Sequence, residues 1–532
     1  MLPPSLSGPQ RIVVNAVLAA LVLRMLHLAD LSLWLDEGVT WWNATRASWT
    51  DTALAEHNHP PVWWCLTRLS IGIFGPGEFG LRMPAVACGV LSVMLAGLLA
   101  RRLCDPARVP SRGGFVGLDR GVAVWVVVLS AGGAFWLALS QEARMYAGLL
   151  AEALGLSLLY LRWLDRGGRA TLVAYAVLAS LALHTHLFAL WPIFGHGAHA
   201  LWLSRRTRLD GNPVRFGPFF LAGLAAGLSF VPFFLWFLKE PAGPASETLE
   251  PFGRYVHALW RMAVGPALVP LDRLRVEAGP AAVLREQPIL IATTALLWFV
   301  PIGFGVRALA RDKGLRAFLA CAILLPSLAV IALGFRYPLV EEKYLVYLAP
   351  LLLLLAVLGA RSASVLLRIV LLVGLATVHA LGLAAYHASD VPSVRDALAG
   401  GHQYGKEEWR RVVRDVERHT TKGDLVLLHA PFLRFVWDFY DSEHALGATP
   451  LPSLDRRCDA VLSADEIRVA HPRLTDAKRV VLVLAHECTP KRDHYRNALA
   501  EALLGAWAEG FRVETIDDPV QWGIRVVTFT RR

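Results

Sequence analysis

The sequence predicts an α-helical polytopic membrane protein that ends in a small α/β domain. Three observations carry this reading. Of the 532 residues, 55% are hydrophobic and 18% charged, whereas about 25% charged is usual for soluble domains; the mean hydropathy is +0.45. Apolar runs of membrane-spanning length recur from the first residues to about residue 386. Beyond residue 390 the pattern changes to short strand-like and helix-like segments in alternation.

A chain so apolar cannot hide its surface in one core, but a bilayer can receive it. The long apolar runs and only six cysteines exclude a disordered chain, a coiled coil and a cysteine-stapled secreted domain. The net charge of +10 does not point to nucleic acid, because no basic stripe with interleaved aromatic residues is present. Much of the surplus lies in short loops between apolar segments, where it reports topology.

A spanning helix needs roughly 20 mainly apolar residues. Eleven spans are expected, near 11–29, 83–100, 121–139, 146–163, 170–185, 187–203, 216–238, 289–309, 316–334, 344–360 and 365–386. The first lacks a small-residue cleavage site and reads as an uncleaved anchor. With a cytoplasmic N-terminus, the inside loops collect Arg101, Arg102, Arg108, Arg112 and Arg120, then Arg162, Arg166 and Arg169, then Arg205, Arg206, Arg208 and Arg215. The short outside loops hold mainly Arg46, Arg144, Arg336 and Lys343. That asymmetry satisfies the positive-inside rule and predicts an inner (cytoplasmic) membrane protein. An odd number of spans puts residues 390–532 outside as an extracytoplasmic domain, after a transmembrane domain over 1–389.

In this tail, Trp409–His419, Pro431–Tyr440 and His494–Glu509 have helical spacing. Leu425–Leu428, Arg479–Ala485, Phe511–Ile516 and Ile524–Phe529 are strand-like. The alternation predicts a small α/β domain. It lacks a Gly-rich phosphate fingerprint, so no nucleotide is assigned. Cys458 and Cys488 would sit in an oxidising compartment; they pair as a disulfide or remain two buried thiols. The other cysteines have no metal-ligand spacing. His184-Thr185-His186 does not make a zinc site either, since residues two apart do not share a helix face and no Cys or acid completes the set.

Polar groups are costly at membrane depth, so those at the outer face are the candidates for chemistry. The first outer loop, 30–82, is the richest. It begins Ser32-Leu33-Trp34-Leu35-Asp36-Glu37-Gly38, followed by Trp41-Trp42, and continues as His57-Asn58-His59-Pro60-Pro61-Val62-Trp63-Trp64. Residues 61–74 are apolar but too short to span, which suits a helix lying along the interface. Neighbouring side chains on a helix diverge by about 100°, so only one of Asp36 and Glu37 faces a site while the other caps or pairs. A helix-capping role for the pair at the membrane surface is the plainer alternative. The segment 239–288 is a second long outer loop, of the kind that forms lids or acceptor clefts.

The motifs form a set. Asp36-Glu37 follows the first span, His59-Pro60-Pro61 precedes the interfacial helix, and Glu78-Phe79-Gly80-Leu81-Arg82-Met83-Pro84 opens the next span. Ser140-Gln141-Glu142-Ala143-Arg144-Met145-Tyr146 lies at the outer end of the third span, and Glu341-Glu342-Lys343-Tyr344 in a late outer loop. In order and sidedness the set resembles the protein O-mannosyltransferases, glycosyltransferase family 39, and their bacterial relatives, which include the lipid A aminoarabinose transferases. The resemblance covers nearly the whole chain.

It implies the glycosyltransferase C superfold and transfer of a sugar from a polyprenyl-phosphate donor to an extracytoplasmic acceptor (lipid, glycan or protein), usually with inversion. A hydroxyl acceptor must lose a proton as it attacks, so a carboxylate serves as general base; the resemblance puts Asp36 in that role. Glu37 comes second, as an acceptor-orienting group or, with Asp36, a holder of a divalent metal, whose use varies within the superfold. The leaving phosphate needs fixed cations, which Arg144 and then Lys343 would supply, with Tyr344 beside it. Many relatives have Arg where Lys343 stands; Lys keeps the charge but not the bidentate fork. His59, Glu142, Tyr146 and Arg82 are the remaining expected substrate-binding residues, each with a structural alternative. For Arg82 that alternative is pairing with Glu78 or a lipid headgroup.

Two other classes compete. A transporter or flippase would place coupling charges near the midplane and show repeated halves, and neither feature is found. A non-catalytic envelope assembly protein would not need an acidic pair at the outer interface.

Overall fold

A computed structural model of the chain describes residues 8–55, 59–104, 119, 121–207, 214–238, 251–268, 287–337, 339–387, 408–421, 423–429, 431–443, 446–450, 463–485, 511–516 and 524–531. The helices run α1 (Gly8–Met25), α2 (Leu35–Ala44), α3 (Trp49–Ala53), α4 (Val62–Phe74), α5 (Glu78–Cys104), α6 (Gly121–Gly132), α7 (Ala134–Ser140), α8 (Tyr146–Arg166), α9 (Arg169–Thr185), α10 (Leu190–Thr207), α11 (Phe216–Phe237), α12 (Pro251–Val264), α13 (Pro288–Ala308) and α14 (Lys313–Gly334). They continue with α15 (Ala349–Ser362), α16 (Val365–His387), α17 (Trp409–His419), α18 (Arg434–Tyr440), α19 (Ala464–Ala470) and α20 (Arg473–Asp476). Two compact units result. A helical unit draws on Met1–Leu28, Arg46–Leu271 and Ala281–Tyr404; a tail unit draws on Ala29–Thr45, which carries α2, and on Gly405–Arg532.

Each of the eleven expected spans has a helical counterpart in the helical unit. Among the described residues seven helices are long and apolar enough to cross a membrane, or eight if α6 and α7 count as one bent span. The chain is a multi-pass membrane protein. Three segments depart from the expected continuous helix. The 121–139 run breaks at Gly133, whose backbone is extended, and bends by 57°. A turn of π-helix, Ala320–Leu324, interrupts α14. The span expected at 344–360 begins its α-helix only at Ala349, after two single 3-10 turns, Glu342–Tyr344 and Val346–Leu348.

The break before α7 frees carbonyls that lipid cannot satisfy. The guanidinium of Arg24, fully buried on α1, takes them over. It donates to Ala131 O at 3.1 Å, Ser130 O at 3.4 Å and Ser140 Oγ at 3.0 Å. The segment expected to lie along the interface forms α4, which has two faces. Trp63, Trp64, Thr67 and Ser70 are buried, while Leu66, Leu69, Ile73 and Phe74 are exposed.

In the tail unit a five-stranded sheet has the order β2-β1-β3-β5-β4, with β1 (Leu425–His429), β2 (Thr449–Pro450), β3 (Arg479–Ala485), β4 (Phe511–Ile516) and β5 (Ile524–Arg531). β1 pairs in parallel with β2 and β3, whereas β5 is antiparallel to β3 and β4. Gly423, at φ +112, supplies the turn into β1. β1 and β3 are buried along nearly their full length, as expected of parallel strands covered on both faces. The helix α17 buries Trp409, Val412, Val413 and Val416 at helical spacing. β2, α19 and α20 form within 449–476, where the sequence pattern predicts no helix or strand. The expected helix His494–Glu509 and the cysteines Cys458 and Cys488 lie outside the described residues.

Within the helical unit α13 and α15 pack through small residues. A Cβ on Gly359 would meet Pro301 O and the backbone of Gly305, the close approach that small residues allow between membrane helices. Overpacking such a contact costs typically about 1–3 kcal/mol. Gly359→Leu is therefore expected to lower the thermal midpoint of the purified protein. Gly303→Ala on α13, whose added Cβ meets nothing within 4 Å, leaves it unchanged or raises it. Equal midpoints for Gly359→Leu and the parent chain would refute this packing.

Candidate active site

The turn between α7 and α8 is fastened from two sides. Gln141 Nε2 donates to Leu26 O at 2.7 Å and to Arg24 O at 3.2 Å, capping the free carbonyls at the end of α1. Trp63 Nε1, from α4, donates to Ala143 O at 3.2 Å. Gly148 on α8 makes room for that indole, since a Cβ there would lie 3.0 Å from Trp63 Cζ3. Arg144 is thus presented by a turn with little freedom, its own N–H bonded to Glu142 O at 2.7 Å.

The Arg144 side chain is 3% exposed. Its guanidinium carbon lies 5.7 Å from the centre of the Trp64 ring and 6.0 Å from that of Tyr146, and Nη2 is 3.3 Å from His59 Nε2. His186 follows the end of α9. Its Nδ1 accepts from Phe188 N at 3.1 Å, so the neutral ring carries its proton on Nε2. The His186 ring lies 5.9 Å from Tyr146 and 6.0 Å from Tyr344, and Tyr344 also meets Phe188 edge-on at 5.0 Å. Lys343 Nζ lies 5.2 Å from the centre of the Tyr344 ring and 3.1 Å from Glu341. The loop bearing Lys343 and Tyr344 is docked on α12 by two ion pairs, Arg254–Glu341 at 3.5 Å and Arg261–Glu342 at 3.1 Å.

Four of the expected residues, Arg144, His59, Tyr146 and Tyr344, therefore share one cluster with His186, and Lys343 adjoins it. Arginine and lysine beside aromatic rings can meet a phosphate with charge-assisted hydrogen bonds. Glu142 is half-buried beside Arg144. Arg82 is buried elsewhere in the helical unit, where Nη1 donates to Leu28 O at 2.7 Å.

Asp36 and Glu37 lie on α2 in the tail unit, and the structure distinguishes the two. Glu37 is fully buried and turns back on its own helix, Oε2 accepting from Trp34 N at 3.4 Å in a capping box. Asp36 is half-buried, and its carbonyl accepts from Thr40 Oγ1 at 3.1 Å. Among the described residues no three His, Cys, Asp or Glu side chains gather to hold a metal.

His186 is the residue that sequence reasoning missed. Its signal in the sequence is the His184-Thr185-His186 run, polar rings at the junction of two apolar runs, spaced wrongly for a metal. Burial holds its imidazole well below the usual histidine range, and the charges of His59, Arg144 and Lys343 push the same way. An unfolded chain would protonate this ring near pH 6.5, whereas the folded protein resists the proton. The ring therefore lowers stability as the pH falls from about 6.5 towards the folded value. His186→Gln is expected to lose less thermal stability than the parent chain between pH 6.5 and 5. Identical acid sensitivity would contradict this.

No family model matches the chain. The undecaprenyl phosphate-α-4-amino-4-deoxy-L-arabinose arabinosyl transferase of Pseudomonas paraeruginosa is 26% identical over 308 residues, 53% of this chain and 50% of that protein. The chain thus spans about half the length of the curated relative it matches. Among solved structures, ArnT from Cupriavidus metallidurans bound to undecaprenyl phosphate superposes with a TM-score of 0.55 at 15% identity, covering 97% of each chain. The archaeal oligosaccharyltransferase AglB from Archaeoglobus fulgidus, in complex with an inhibitory peptide and a dolichol-phosphate, gives 0.50 at 13% identity, over 98% of this chain and 74% of that one. The chain has the expected fold, the glycosyltransferase C superfold of these proteins, and it resembles the aminoarabinose transferases in sequence.

Proposed function

We propose that the protein is an inner-membrane glycosyltransferase that moves a sugar from a polyprenyl-phosphate donor to an extracytoplasmic acceptor. In this reading the N-terminus is cytoplasmic and residues 390–532 form an extracytoplasmic domain after a transmembrane domain over 1–389. The carrying observation is the cluster of Arg144, His59, Trp64, Tyr146, His186 and Tyr344, flanked by Lys343. It occurs in a fold that this chain shares with a protein crystallised with undecaprenyl phosphate.

The roles follow from the chemistry. An acceptor hydroxyl attacks the anomeric carbon, the bond from that carbon to the phosphate oxygen breaks, and the hydroxyl proton passes to the Asp36 carboxylate. Glu37, folded into the capping box, holds α2 rather than taking the proton. The departing prenyl phosphate gains negative charge, which Arg144 and Lys343 stabilise, while neutral His186 and the hydroxyl of Tyr344 offer hydrogen bonds. His59 orients the guanidinium of Arg144. Tyr146 lines the cluster, Glu142 borders the turn, and Arg82 holds backbone at the end of α1.

Asp36→Asn keeps the size of the side chain and removes the base. It is expected to abolish release of free undecaprenyl phosphate from radiolabelled undecaprenyl-phosphate sugars while retaining undecaprenyl phosphate binding. Turnover equal to the parent chain would refute the assignment. Arg144→Ala removes one electrostatic contact to the leaving group, worth about 10²–10³ in rate at comparable sites. It should lower kcat by about that factor and weaken undecaprenyl phosphate binding, whereas the KM for acceptor stays within about twofold. Unchanged lipid binding would count against it.

A further inference from the structure

The tail unit holds α2 both at its entry and along its face. The Tyr440 hydroxyl accepts from Leu33 N at 2.7 Å and from Ser32 Oγ at 3.2 Å. Arg410 N donates to Ser32 Oγ at 3.1 Å, and its guanidinium donates to Ala29 O at 2.8 Å and Asp30 O at 3.1 Å. The chain entering α2 is thereby held through the backbone of Ala29, Asp30 and Leu33 and through the hydroxyl of Ser32. On the helix itself Gly38 lies flat against α18, where a Cβ would come within 2.7 Å of Val436 N. Trp41 meets Phe439 edge-on at 5.5 Å, and Trp42 lies 5.5 Å from Phe435. The Arg434 guanidinium lies 5.7 Å from the centre of the Trp42 ring. All these contacts fall within one compact unit.

We propose that the C-terminal domain is the seat of the catalytic helix, and that Tyr440, Arg410 and Val436 are positioning residues for Asp36. This rests on the reading of Asp36 as general base. A base must lie within hydrogen-bond reach of the proton it takes, and displacement by about 1 Å can cost on the order of 10²-fold in rate. A short helix bounded by loop has little stability of its own. Phe435, Val436 and Phe439 supply a rigid floor for it, and Tyr440 and Arg410 fix where it begins. Phe435 and Phe439 stand one turn apart on one flank of α18, and Val436 and Tyr440 one turn apart on the adjacent flank, so both flanks bear on α2 and its entry.

The test uses the full-length protein in nanodiscs and whichever of a panel of undecaprenyl-phosphate sugars the parent chain turns over. Tyr440→Phe keeps the ring and loses the acceptor of the Leu33 N–H. Gly38→Val drives α2 off Val436. Both are expected to lower kcat by about 10- to 100-fold with undecaprenyl phosphate binding intact, because the Arg144 cluster is untouched. In Tyr440→Phe the acid limb of the kcat–pH profile should also move, as a purely structural role would not require. Should Gly38→Val fail to fold, seen as loss of lipid binding, Tyr440→Phe decides. If Asp36→Asn is inactive and Tyr440→Phe keeps parental kcat and pH profile, the seat is refuted and the base stands. If Asp36→Asn is active, or no donor of the panel is turned over, both readings fall.

Discussion

A broken helix at membrane depth has carbonyls that neither lipid nor the next turn can satisfy, and here one guanidinium answers for them. Arg24 reaches from α1 to Ser130, Ala131 and Ser140 around the bend at Gly133. The bend sets the direction in which α7 leaves, and α7 ends at the turn that presents Arg144. The same turn returns the favour through Gln141, which caps the last carbonyls of α1. Two polar side chains thus lock three helices to one another, and the Arg144 cluster is built on the locked corner. A charge this deep is costly unless it is fully engaged, which explains why its partners are backbone oxygens and a hydroxyl.

The cluster itself is an arrangement of cations on aromatic faces. Trp64 and Tyr146 border the Arg144 guanidinium, leaving its direction set by rings that do not compete for its hydrogen bonds. Lys343 is held differently, by Glu341, and Glu341 is in turn paired with Arg254. The two cations therefore have unequal character: one buried against flat surfaces, the other half-exposed in an ion-pair network.

Much of this was legible in the sequence because membrane physics leaves a coarse signature. All eleven apolar runs became helices, and the strand pattern of Leu425–Leu428 and Arg479–Ala485 became the paired β1 and β3. The 57° bend was not visible, since Gly132-Gly133 sits in an uninterrupted apolar run and hydropathy carries no information on direction. The start of α15 was misplaced for a related reason: residues 344–348 are apolar enough to span but are wound in 3-10 turns. At the site, Asp36 and Glu37 were indistinguishable by chemistry and spacing. The hydrogen bond from Trp34 N to Glu37 and the full burial of that side chain distinguish it from the half-buried Asp36. His186 was legible as a residue but not as a neighbour, because the hairpin brings it to Tyr146 and Tyr344 through tertiary packing.

The two-faced helix α4 has a consequence for where the chemistry can occur. Its bare side, Leu66, Leu69, Ile73 and Phe74, gains about 1.5–3 kcal/mol per large side chain on leaving water, so the helix behaves as a float whose draught is set by the bilayer. Trp63 ties that float to the backbone beside Arg144. The lipid that takes up the apolar face of α4 is thereby mechanically linked, through that one indole, to the turn that carries Arg144.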